Sequence, residues 1–276
     1  MDTNSLNKKR ERLNKILSTL DSLLVAFSGG VDSSFLLFSA HKTLGDRVLA
    51  VTARSIIHPD RETDEAISFA EKYGIRHIIF DSNELSIPEF VSNPPDRCYY
   101  CKKMLCLKIQ EIGSEQEIKA IAHGANWDDY GDYRPGMRAA DEMGLIAPLA
   151  ESGLSKEEIR YLSRSMGLSV WDKPSMACLA SRIPYGNIIT KSNLKMVGEA
   201  EKILADRHFK HFRVRHHGQI ARIEVDIDEM KRFNNPDLKK EIIDKLKELG
   251  FLYITLDLEG YVSGSLNRVL KTDQEV

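Results

Sequence analysis

The feature that most constrains the fold is a short apolar segment that ends in a glycine turn and leads directly into a helix pattern. Residues 22–27 are long enough for a buried strand and too short for a stable helix. A Ser-Gly-Gly turn at 28–30 follows, and residues 33–44 have helical spacing. An amphipathic helix over residues 5–20 precedes this unit. The chain is therefore expected to open with a helix and a strand–turn–helix unit.

The same alternation continues along the first two thirds of the chain. We predict further strands at 48–53, 77–80 and 120–123, and further helices at 61–73 and 101–112. Strands that alternate with helices indicate an α/β fold with a parallel sheet covered on both faces. Right-handed crossovers then give a doubly wound layer that binds ligands at the carboxyl ends of its strands.

The pattern changes close to Pro184. The following segments predict a helix, two strands that form a hairpin, a helix and a last strand, at residues 192–206, 212–216, 221–225, 236–249 and 253–258. Such a run is typical of a small α+β unit. We therefore predict a first domain over residues 1–184 and a smaller C-terminal α+β domain over residues 185–276.

Composition narrows the functional class. The chain has 276 residues, 42% of them hydrophobic and 29% charged, as in ordinary globular proteins. Its net charge of -2 gives no bulk electrostatic reason to bind nucleic acid. No apolar run is long enough to span a bilayer, and residues 1–15 are too polar for a signal or transit peptide. A cytoplasmic location, with no membrane or nucleic-acid partner, is expected.

The turn at residues 28–33, Ser-Gly-Gly-Val-Asp-Ser, has the chemistry of an anion site. Its glycines allow a sharp turn, and the next helix offers free N–H groups to phosphate. Ser28 and Ser33 add hydroxyl groups, and Asp32 suits the binding of magnesium or the organisation of pyrophosphate. The alternative is an ordinary turn with Ser and Asp caps. The Walker pattern is absent, because no Gly-Lys-Ser/Thr follows.

The octapeptide Ala-Phe-Ser-Gly-Gly-Val-Asp-Ser at 26–33 resembles the PP-loop of the ATP pyrophosphatases. That superfamily includes GMP synthetase, NAD synthetase, argininosuccinate synthetase and tRNA thiolases, which cleave ATP between the α and β phosphates and form an adenylate. The resemblance implies ATP and Mg²⁺ as cofactors. It places the nucleotide at Ala26, Ser28, Gly29, Gly30, Asp32 and Ser33.

Further segments narrow the resemblance to one family. They are His-Gly-Ala-Asn-Trp-Asp-Asp at 123–129 with Asp-Tyr-Arg-Pro-Gly at 132–136, Cys-Leu-Ala-Ser-Arg-Ile-Pro-Tyr-Gly at 178–186, and the strand segments 213–215 and 221–224. Together with the loop they resemble LarE over nearly the whole chain. The resemblance implies adenylation of pyridinium-3,5-biscarboxylic acid mononucleotide, followed by replacement of AMP by sulfur. The thiocarboxylate serves nickel-pincer nucleotide cofactor biosynthesis, and the enzyme is expected to be a homo-hexamer.

The resemblance also assigns residues. It implies ATP contacts at Gly124, Asn126, Asp129 and Arg182, and substrate contacts at Ser181, Glu201, Arg213, Arg215 and Glu224. By their residue types alone, Asn126 and Asp129 either contact the nucleotide or shape the loop as turn residues.

Two arginines alternate on one predicted strand. Arg213 and Arg215 therefore point to one face, where they suit a phosphate or carboxylate, the alternative being a solvated strand face. The resemblance favours the substrate phosphate. It links Glu201 and Glu224 to a metal or the substrate, but a further carboxylate of that constellation is Arg232 here. The metal site is therefore in doubt.

Cysteines indicate how sulfur is supplied. Some LarE members sacrifice one cysteine, and aligned from Arg182 that position is Ala177 here. The chain instead has Cys98, Cys101 and Cys178, and three thiolates suit a [4Fe–4S] cluster with one open iron. Hydrosulfide on that iron would make turnover catalytic, as in the cluster-bearing branch of the family. The sulfide source is not indicated.

Several alternatives remain open at the level of sequence. The Cys-x-x-Cys pair could be half of a zinc site completed by Cys106 or a histidine, or it could be structural. Cys178 could itself donate sulfur. Cys106 lies on a predicted helix, where a core thiol is favoured. Rival functions are a cluster-dependent tRNA thiolase, a ligase that uses ammonia, and a nucleotide-sensing module without turnover.

Overall fold

The structure, a computed structural model, describes residues 2–131, 135–174 and 177–272. Asp132, Tyr133 and Arg134 of the second family segment lie outside these residues. The chain divides into two compact units, Met1–Asn83 with Asp96–Met176, and Glu84–Pro95 with Ala177–Val276. Among the described residues, no helix is long and apolar enough to cross a membrane.

The helices and strands follow the alternation expected from the sequence. The strands are β1 (Leu23–Ala26), β2 (Val48–Arg54), β3 (Arg76–Asp81), β4 (Ala120–His123), β5 (Phe212–His217), β6 (Ile220–Val225) and β7 (Tyr253–Leu256). The helices are α1 (Thr3–Ser18), α2 (Val31–Leu44), α3 (Asp60–Lys72), α4 (Pro88–Val91), α5 (Arg97–Glu115), α6 (Pro135–Glu142), α7 (Pro148–Glu151), α8 (Lys156–Ser165), α9 (Lys191–Ala205), α10 (Ile227–Met230), α11 (Pro236–Glu248) and α12 (Arg268–Thr272).

The first unit is built on a four-stranded parallel sheet in the order β3-β2-β1-β4. Alternate side chains of β1 enter different cores, because successive strand residues point to opposite faces. Leu23 and Val25 pack in a core with residues of α1, α2, α3 and α8. Leu24 packs in a second core with residues of α5 and α6. Helices therefore cover both faces of this sheet.

The strand order places two loops side by side. The chain moves from β1 to β2 and β3 on one side of the sheet, and β4 then pairs with the other side of β1. Ala26, the last residue of β1, lies opposite His123, the last residue of β4. The loops that leave these two carboxyl ends flank the kind of crevice in which open α/β sheets bind ligands.

The second unit has a three-stranded mixed sheet. β5 pairs antiparallel with β6, and β6 pairs parallel with β7. One face of β5 and β6 packs on α9 and α11 through an apolar core that includes Val214, Ile223 and Leu246. The predicted α/β class, with a parallel sheet and a separate smaller unit, is confirmed. The doubly wound arrangement stays a prediction.

The second unit also includes a segment from the first half of the chain. The buried Asn93 side chain donates from Nδ2 to the carbonyl oxygens of Ile183, Pro184 and Asn187, at 3.2, 2.7 and 3.1 Å. Gly186 N–H in turn donates to the Asn93 carbonyl. These bonds attach residues 84–95 to the segment that starts at Ala177, so the second unit combines two parts of the chain, whereas the sequence predicts a single division at residue 184.

Helix α5 begins earlier than the sequence indicated. The sequence predicts a start at Cys101, and the observed start is Arg97, shortly after Pro94 and Pro95. Proline disfavours helical conformation in the residue before it, so the helix forms only beyond this pair. Cys98 and Cys101 consequently share the first turns of one helix.

Candidate functional site

The loop after β1 is held in a closed turn by its own hydroxyl groups. Ser28 and Ser33 Oγ lie 3.0 Å apart, and Ser33 Oγ donates to the Gly30 carbonyl at 3.2 Å. Gly29 has a φ of 69°, which favours glycine, and a Cβ there would lie 3.2 Å from Ala66 Cβ of α3. Val31 starts α2, so Asp32 and Ser33 lie in its first turn, where backbone N–H groups have no partner within the helix. This arrangement suits a phosphate group.

The loop after β4 packs against the start of α2 at Gly124, where there is no room for a side chain. A Cβ on Gly124 would lie 2.8 Å from the Ser33 nitrogen and 2.9 Å from its Cα. Both contacts are with backbone atoms, so a rotamer change could not relieve the clash that a side chain at this position would cause. The structure therefore brings the loop at 28–33 and the segment at 123–129 together, and the ATP contacts assigned to both stay a prediction.

Asn126 and Asp129 shape this second loop. Asn126 N–H donates to Asp129 Oδ2 at 2.9 Å, and Asp128 N–H donates to Asn126 Oδ1 at 2.9 Å. The Asn126 side chain is buried. The turn-forming interpretation of these residues therefore has direct support, and their contact with a nucleotide stays a prediction.

Asp32 has a lysine partner that the sequence did not indicate. Lys156 Nζ, at the start of α8, contacts Asp32 Oδ2. Asp32 Oδ1 is buried and has no hydrogen-bond partner in the part of the chain that the structure describes. Burial raises the pKa of Asp32, while the Lys156 charge opposes that rise. An oriented carboxylate with one unsatisfied oxygen fits a hard cation such as Mg²⁺.

A second unpredicted lysine reaches the same loop. Lys173 Nζ donates to the Gly29 carbonyl at 3.1 Å and pairs with Glu65 Oε2 at 2.6 Å. Neither lysine lies near the loop in sequence, and neither is among the site residues that we predict from the sequence. Only the folded chain brings them together.

His123 ends β4 with a buried, neutral imidazole. Burial and, to a smaller extent, the Lys102 charge lower its pKa to about 4. Its Nε2 is buried and has no hydrogen-bond partner within the described residues. His123 lies on the same face of β4 as Ile121, which packs toward α5 and α6.

Two of the three candidate cluster cysteines share a helix face in the first unit. Cys98 is exposed and Cys101 partly exposed, and their spacing on α5 puts both side chains on one side of the helix. Gly136 of α6 packs on this turn, since a Cβ there would lie 3.4 Å from the Cys98 carbonyl oxygen. Cys106 is fully buried in the core, and burial raises the pKa of its thiol.

The cysteine pair does not form a metal site by itself. Among residues 2–131, 135–174 and 177–272, no group of three or more His, Cys, Asp or Glu side chains is arranged to hold a metal ion. Cys178 belongs to the second unit. The pair on α5 thus offers two thiol groups in the first unit, and the cluster stays a prediction.

In the second unit, Arg182 fixes the segment that contains Cys178. Its guanidinium makes two 2.8 Å bonds to the carboxylate of Glu201. Its Nη1 also donates to the Ala177 and Cys178 carbonyls at 2.7 and 3.2 Å, and to Ser181 Oγ at 2.9 Å. Arg182 is almost fully buried, so in this structure it acts on its own segment. Its predicted ATP contact stays a prediction.

Arg213 and Arg215 lie on the face of β5 opposite the core residue Val214, and with Arg182 they form an arginine cluster. Arg215 binds both Glu224 oxygens at 2.9 Å and donates to the Ser181 carbonyl at 2.9 Å. Burial lowers the pKa of Arg213, and the charges of Arg182 and Arg215 lower it further. Arg213 also lies over the ring of Tyr261. The cluster suits an anion, as the sequence suggested.

The two glutamates do not fit a cation site. Glu201 binds Arg182 through both oxygens and accepts a bond from Val214 N–H, while Glu224 binds Arg215 and Arg222. Arg232 instead lies over the Phe209 ring and pairs with Glu229. The carboxylates that the resemblance linked to a metal are neutralised by guanidinium groups.

Comparisons with known proteins found relatives that match nearly the whole chain and others that match about half of it. A pyridinium-3,5-bisthiocarboxylic acid mononucleotide synthase of Lactiplantibacillus plantarum is 37% identical over 274 residues, 98% of each chain. An uncharacterized protein of Synechocystis sp. is 41% identical over 96% of this chain and 99% of its own. One component of the glutamine-hydrolysing GMP synthase of Methanocaldococcus jannaschii is 26% identical over 52% of this chain and 50% of its own. No protein-family model matches the chain.

Gly124→Ala tests the close approach of the two loops. The added methyl group would displace the Ser33 backbone, so we expect ATP affinity to fall about tenfold or more, equivalent to about 1.4 kcal/mol. Calorimetric titration with ATP and Mg²⁺ measures this. Gly131→Ala is the matched control, because a Cβ there would meet no heavy atom of the described residues within 4 Å. Equal affinities for the two variants would contradict the proposed geometry.

His123→Gln tests the buried imidazole through the pH dependence of stability. Below the unfolded pKa of 6.5 the unfolded chain takes up a proton that native His123, with a pKa of about 4, does not. Stability is therefore lost as the pH falls from 6.5 toward 4. We expect this loss to be smaller in the variant by about 2 kcal/mol between pH 7.5 and pH 5. Urea unfolding at both pH values measures it, and an unchanged pH dependence would argue against a neutral His123.

Proposed function

Because the chain belongs to the LarE family, which includes the pyridinium-3,5-bisthiocarboxylic acid mononucleotide synthase of L. plantarum, we propose that it is an ATP-dependent sulfur transferase. Its substrate is pyridinium-3,5-biscarboxylic acid mononucleotide, and its product is a thiocarboxylate used in nickel-pincer nucleotide cofactor biosynthesis. The match spans 98% of both chains, so it includes the nucleotide loop and the arginine cluster alike. The related GMP synthase component supports an ATP-using synthase.

The observation that carries the proposal is the meeting of the two loops at the ends of β1 and β4. The loop 28–33 offers N–H and hydroxyl groups, and Gly124 lets the second loop close against it. Asp32 presents a buried oxygen without a partner among the described residues, which fits Mg²⁺ bound with ATP. These groups suit the triphosphate, and they act before any sulfur is involved.

The proposed chemistry has two steps. A carboxylate oxygen of the substrate attacks the α phosphorus, the bond to the bridging oxygen breaks, and pyrophosphate leaves with Mg²⁺. Hydrosulfide then attacks the acyl carbon, the carbon–oxygen bond breaks, and AMP leaves with the former carboxylate oxygen. Activation is needed because a carboxylate is a poor electrophile until its oxygen becomes part of a good leaving group.

The arginine cluster of the second unit suits the substrate phosphate. Arg182 and Arg215 each have a buried glutamate that offsets their charge, and Arg213 lies close enough to both for its pKa to fall. An anion would relieve this repulsion between like charges. We therefore propose that Arg213 and Arg215, together with Ser181, bind the phosphate of the substrate.

We propose that Cys98, Cys101 and Cys178 hold a [4Fe–4S] cluster, which would supply hydrosulfide from an iron without a protein ligand. The common helix face of Cys98 and Cys101 supports two of these ligands, and the third rests on family resemblance. Direct donation by Cys178 is the competing source. The sacrificial position of other members is Ala177 here, which has no sulfur to give.

Cys98→Ala separates activation from sulfur delivery. We expect the variant to lose sulfur transfer and iron binding but to keep ATP binding and substrate-dependent pyrophosphate release, because Cys98 lies outside the nucleotide loop. The assay uses anaerobically prepared protein, with iron, acid-labile sulfide, thiocarboxylate and pyrophosphate measured. Cys106→Ala, in the core, should retain both activities.

Protein mass before and after turnover decides between the two sulfur sources. Repeated turnover with unchanged mass is expected for cluster delivery. If the protein instead loses the mass of hydrogen sulfide at Cys178, which leaves dehydroalanine, then Cys178 donates the sulfur directly and the proposed delivery by a cluster is wrong. Thiocarboxylate formation by Cys98→Ala at the native rate would contradict the role of the cysteine pair.

A further inference from the structure

The arginine cluster of the second unit contains three guanidinium groups that are held in different ways. Arg182 and Arg215 are each fixed by two hydrogen bonds to a buried glutamate carboxylate. Arg213 has other contacts: its Nη1 donates to the Phe212 carbonyl at 2.7 Å, and its guanidinium lies over the Tyr261 ring, 5.1 Å from the ring centre. The position of Arg213 therefore involves an aromatic ring from a distant part of the same unit.

We propose that Tyr261 is a positioning residue of this cluster, whose ring holds the Arg213 guanidinium where it can bind the substrate phosphate. The inference rests on the proposed function, which assigns the phosphate of the substrate to these arginines. It adds to that site a residue that is not among the site residues predicted from the sequence.

Repulsion inside the cluster is the reason why Arg213 needs such a partner. Burial lowers the pKa of Arg213, and the charges of Arg182 and Arg215 act in the same direction. Like charges at close range favour side-chain conformations that separate them, and the long arginine side chain has many such conformations. The face of an aromatic ring attracts a guanidinium group through the ring quadrupole. Tyr261 can therefore hold Arg213 without taking up any of its hydrogen-bond donors.

Tyr261 is itself fixed by its backbone and by its ring. Its N–H donates to the carbonyl of Val225, the last residue of β6, at 2.8 Å. The preceding Gly260 has a φ of 72°, and a Cβ there would lie 2.8 Å from the same oxygen, so this close approach requires glycine. The Tyr261 ring also stacks on His211, with 6.2 Å between ring centres and 17° between ring planes. The ring is therefore held in place by contacts other than the one with Arg213.

The segment that contains Tyr261 contacts the other arginines as well. Ser265 Oγ accepts a hydrogen bond from Arg215 Nη2 at 3.0 Å. Tyr261 lies close enough to Arg182 to interact with its charge. Residues 260–265 therefore border the whole cluster. Because the face of the ring makes the contact with Arg213, a phenylalanine at position 261 would preserve it and an aliphatic side chain would not.

Binding of pyridinium-3,5-biscarboxylic acid mononucleotide is the direct readout, since it needs neither ATP nor sulfur. We expect Tyr261→Leu to weaken this binding about fivefold to tenfold, as for the loss of a partly desolvated cation–π contact. Tyr261→Phe, which keeps the ring, should restore native affinity. ATP affinity should stay native in both variants, because the nucleotide loop belongs to the first unit. Isothermal titration with the full-length protein measures these affinities, and thermal unfolding checks that each variant is folded.

A double-mutant cycle shows whether Tyr261 acts through Arg213. Arg213→Gln removes the charge, and we expect it to weaken mononucleotide binding about tenfold or more. In the Arg213→Gln background, Tyr261→Leu should cause no further loss, because no guanidinium group remains to be positioned. An equal loss from Tyr261→Leu with and without Arg213 would overturn the proposal, and so would native affinity in Tyr261→Leu alone.

Tyr253→Leu is the matched control. Tyr253 belongs to β7 of the same sheet, is 61% exposed, and pairs with Ile220, at the end of β6 opposite to Val225. We expect native mononucleotide affinity in this variant, and a loss equal to that of Tyr261→Leu would make the effect one of sheet stability.

The same titrations separate this inference from the proposed function. Mononucleotide binding that does not depend on Tyr261 overturns the inference alone. If binding depends on Tyr261 and Arg213 but no thiocarboxylate forms with ATP and sulfide, the proposed sulfur transfer fails and this inference stands.

Discussion

The backbone contact between Gly124 and Ser33 is the constraint that sets the geometry of the nucleotide site. It exists because β4 pairs directly with β1, so that both loops leave the same edge of the sheet. With a Cβ at Gly124 only 2.8 Å from the Ser33 nitrogen, any side chain there would separate the loops. The same loop continues into the turn of Asn126 and Asp129, and Asp128 then accepts a hydrogen bond from the Lys156 N–H at the start of α8.

Local sequence patterns predicted the strands of the first unit and the loop 28–33 well. β4 matches its predicted bounds, and β1 and β2 differ by a residue or two, because short apolar runs beside glycine turns have few alternative structures. The pair of arginines on β5 was also evident, since alternation along a strand fixes a common face. The inclusion of residues 84–95 in the second unit was not, because it depends on bonds from Asn93 to a distant segment.

The charged partners of the site could not be inferred from local patterns. Lys156 and Asp32 are 124 residues apart, and Lys173 and Gly29 are 144 apart. No periodicity relates such pairs; only the packing of α8 beside the loop does. The same reason applies to Arg182. The resemblance implies an ATP contact for Arg182, which stays a prediction, and no local pattern indicates its buried bonds to Glu201 and to the Ala177 and Cys178 carbonyls.

In the proposed reaction, a carboxylate of the substrate is activated as an adenylate and sulfur then displaces AMP. Substrate labelled with ¹⁸O in its carboxylates, followed by mass analysis of the products, tests this sequence of steps without relying on any variant. We expect each sulfur transferred to leave one labelled oxygen in AMP and none in pyrophosphate. Unlabelled AMP, formed together with thiocarboxylate, would contradict activation through an adenylate.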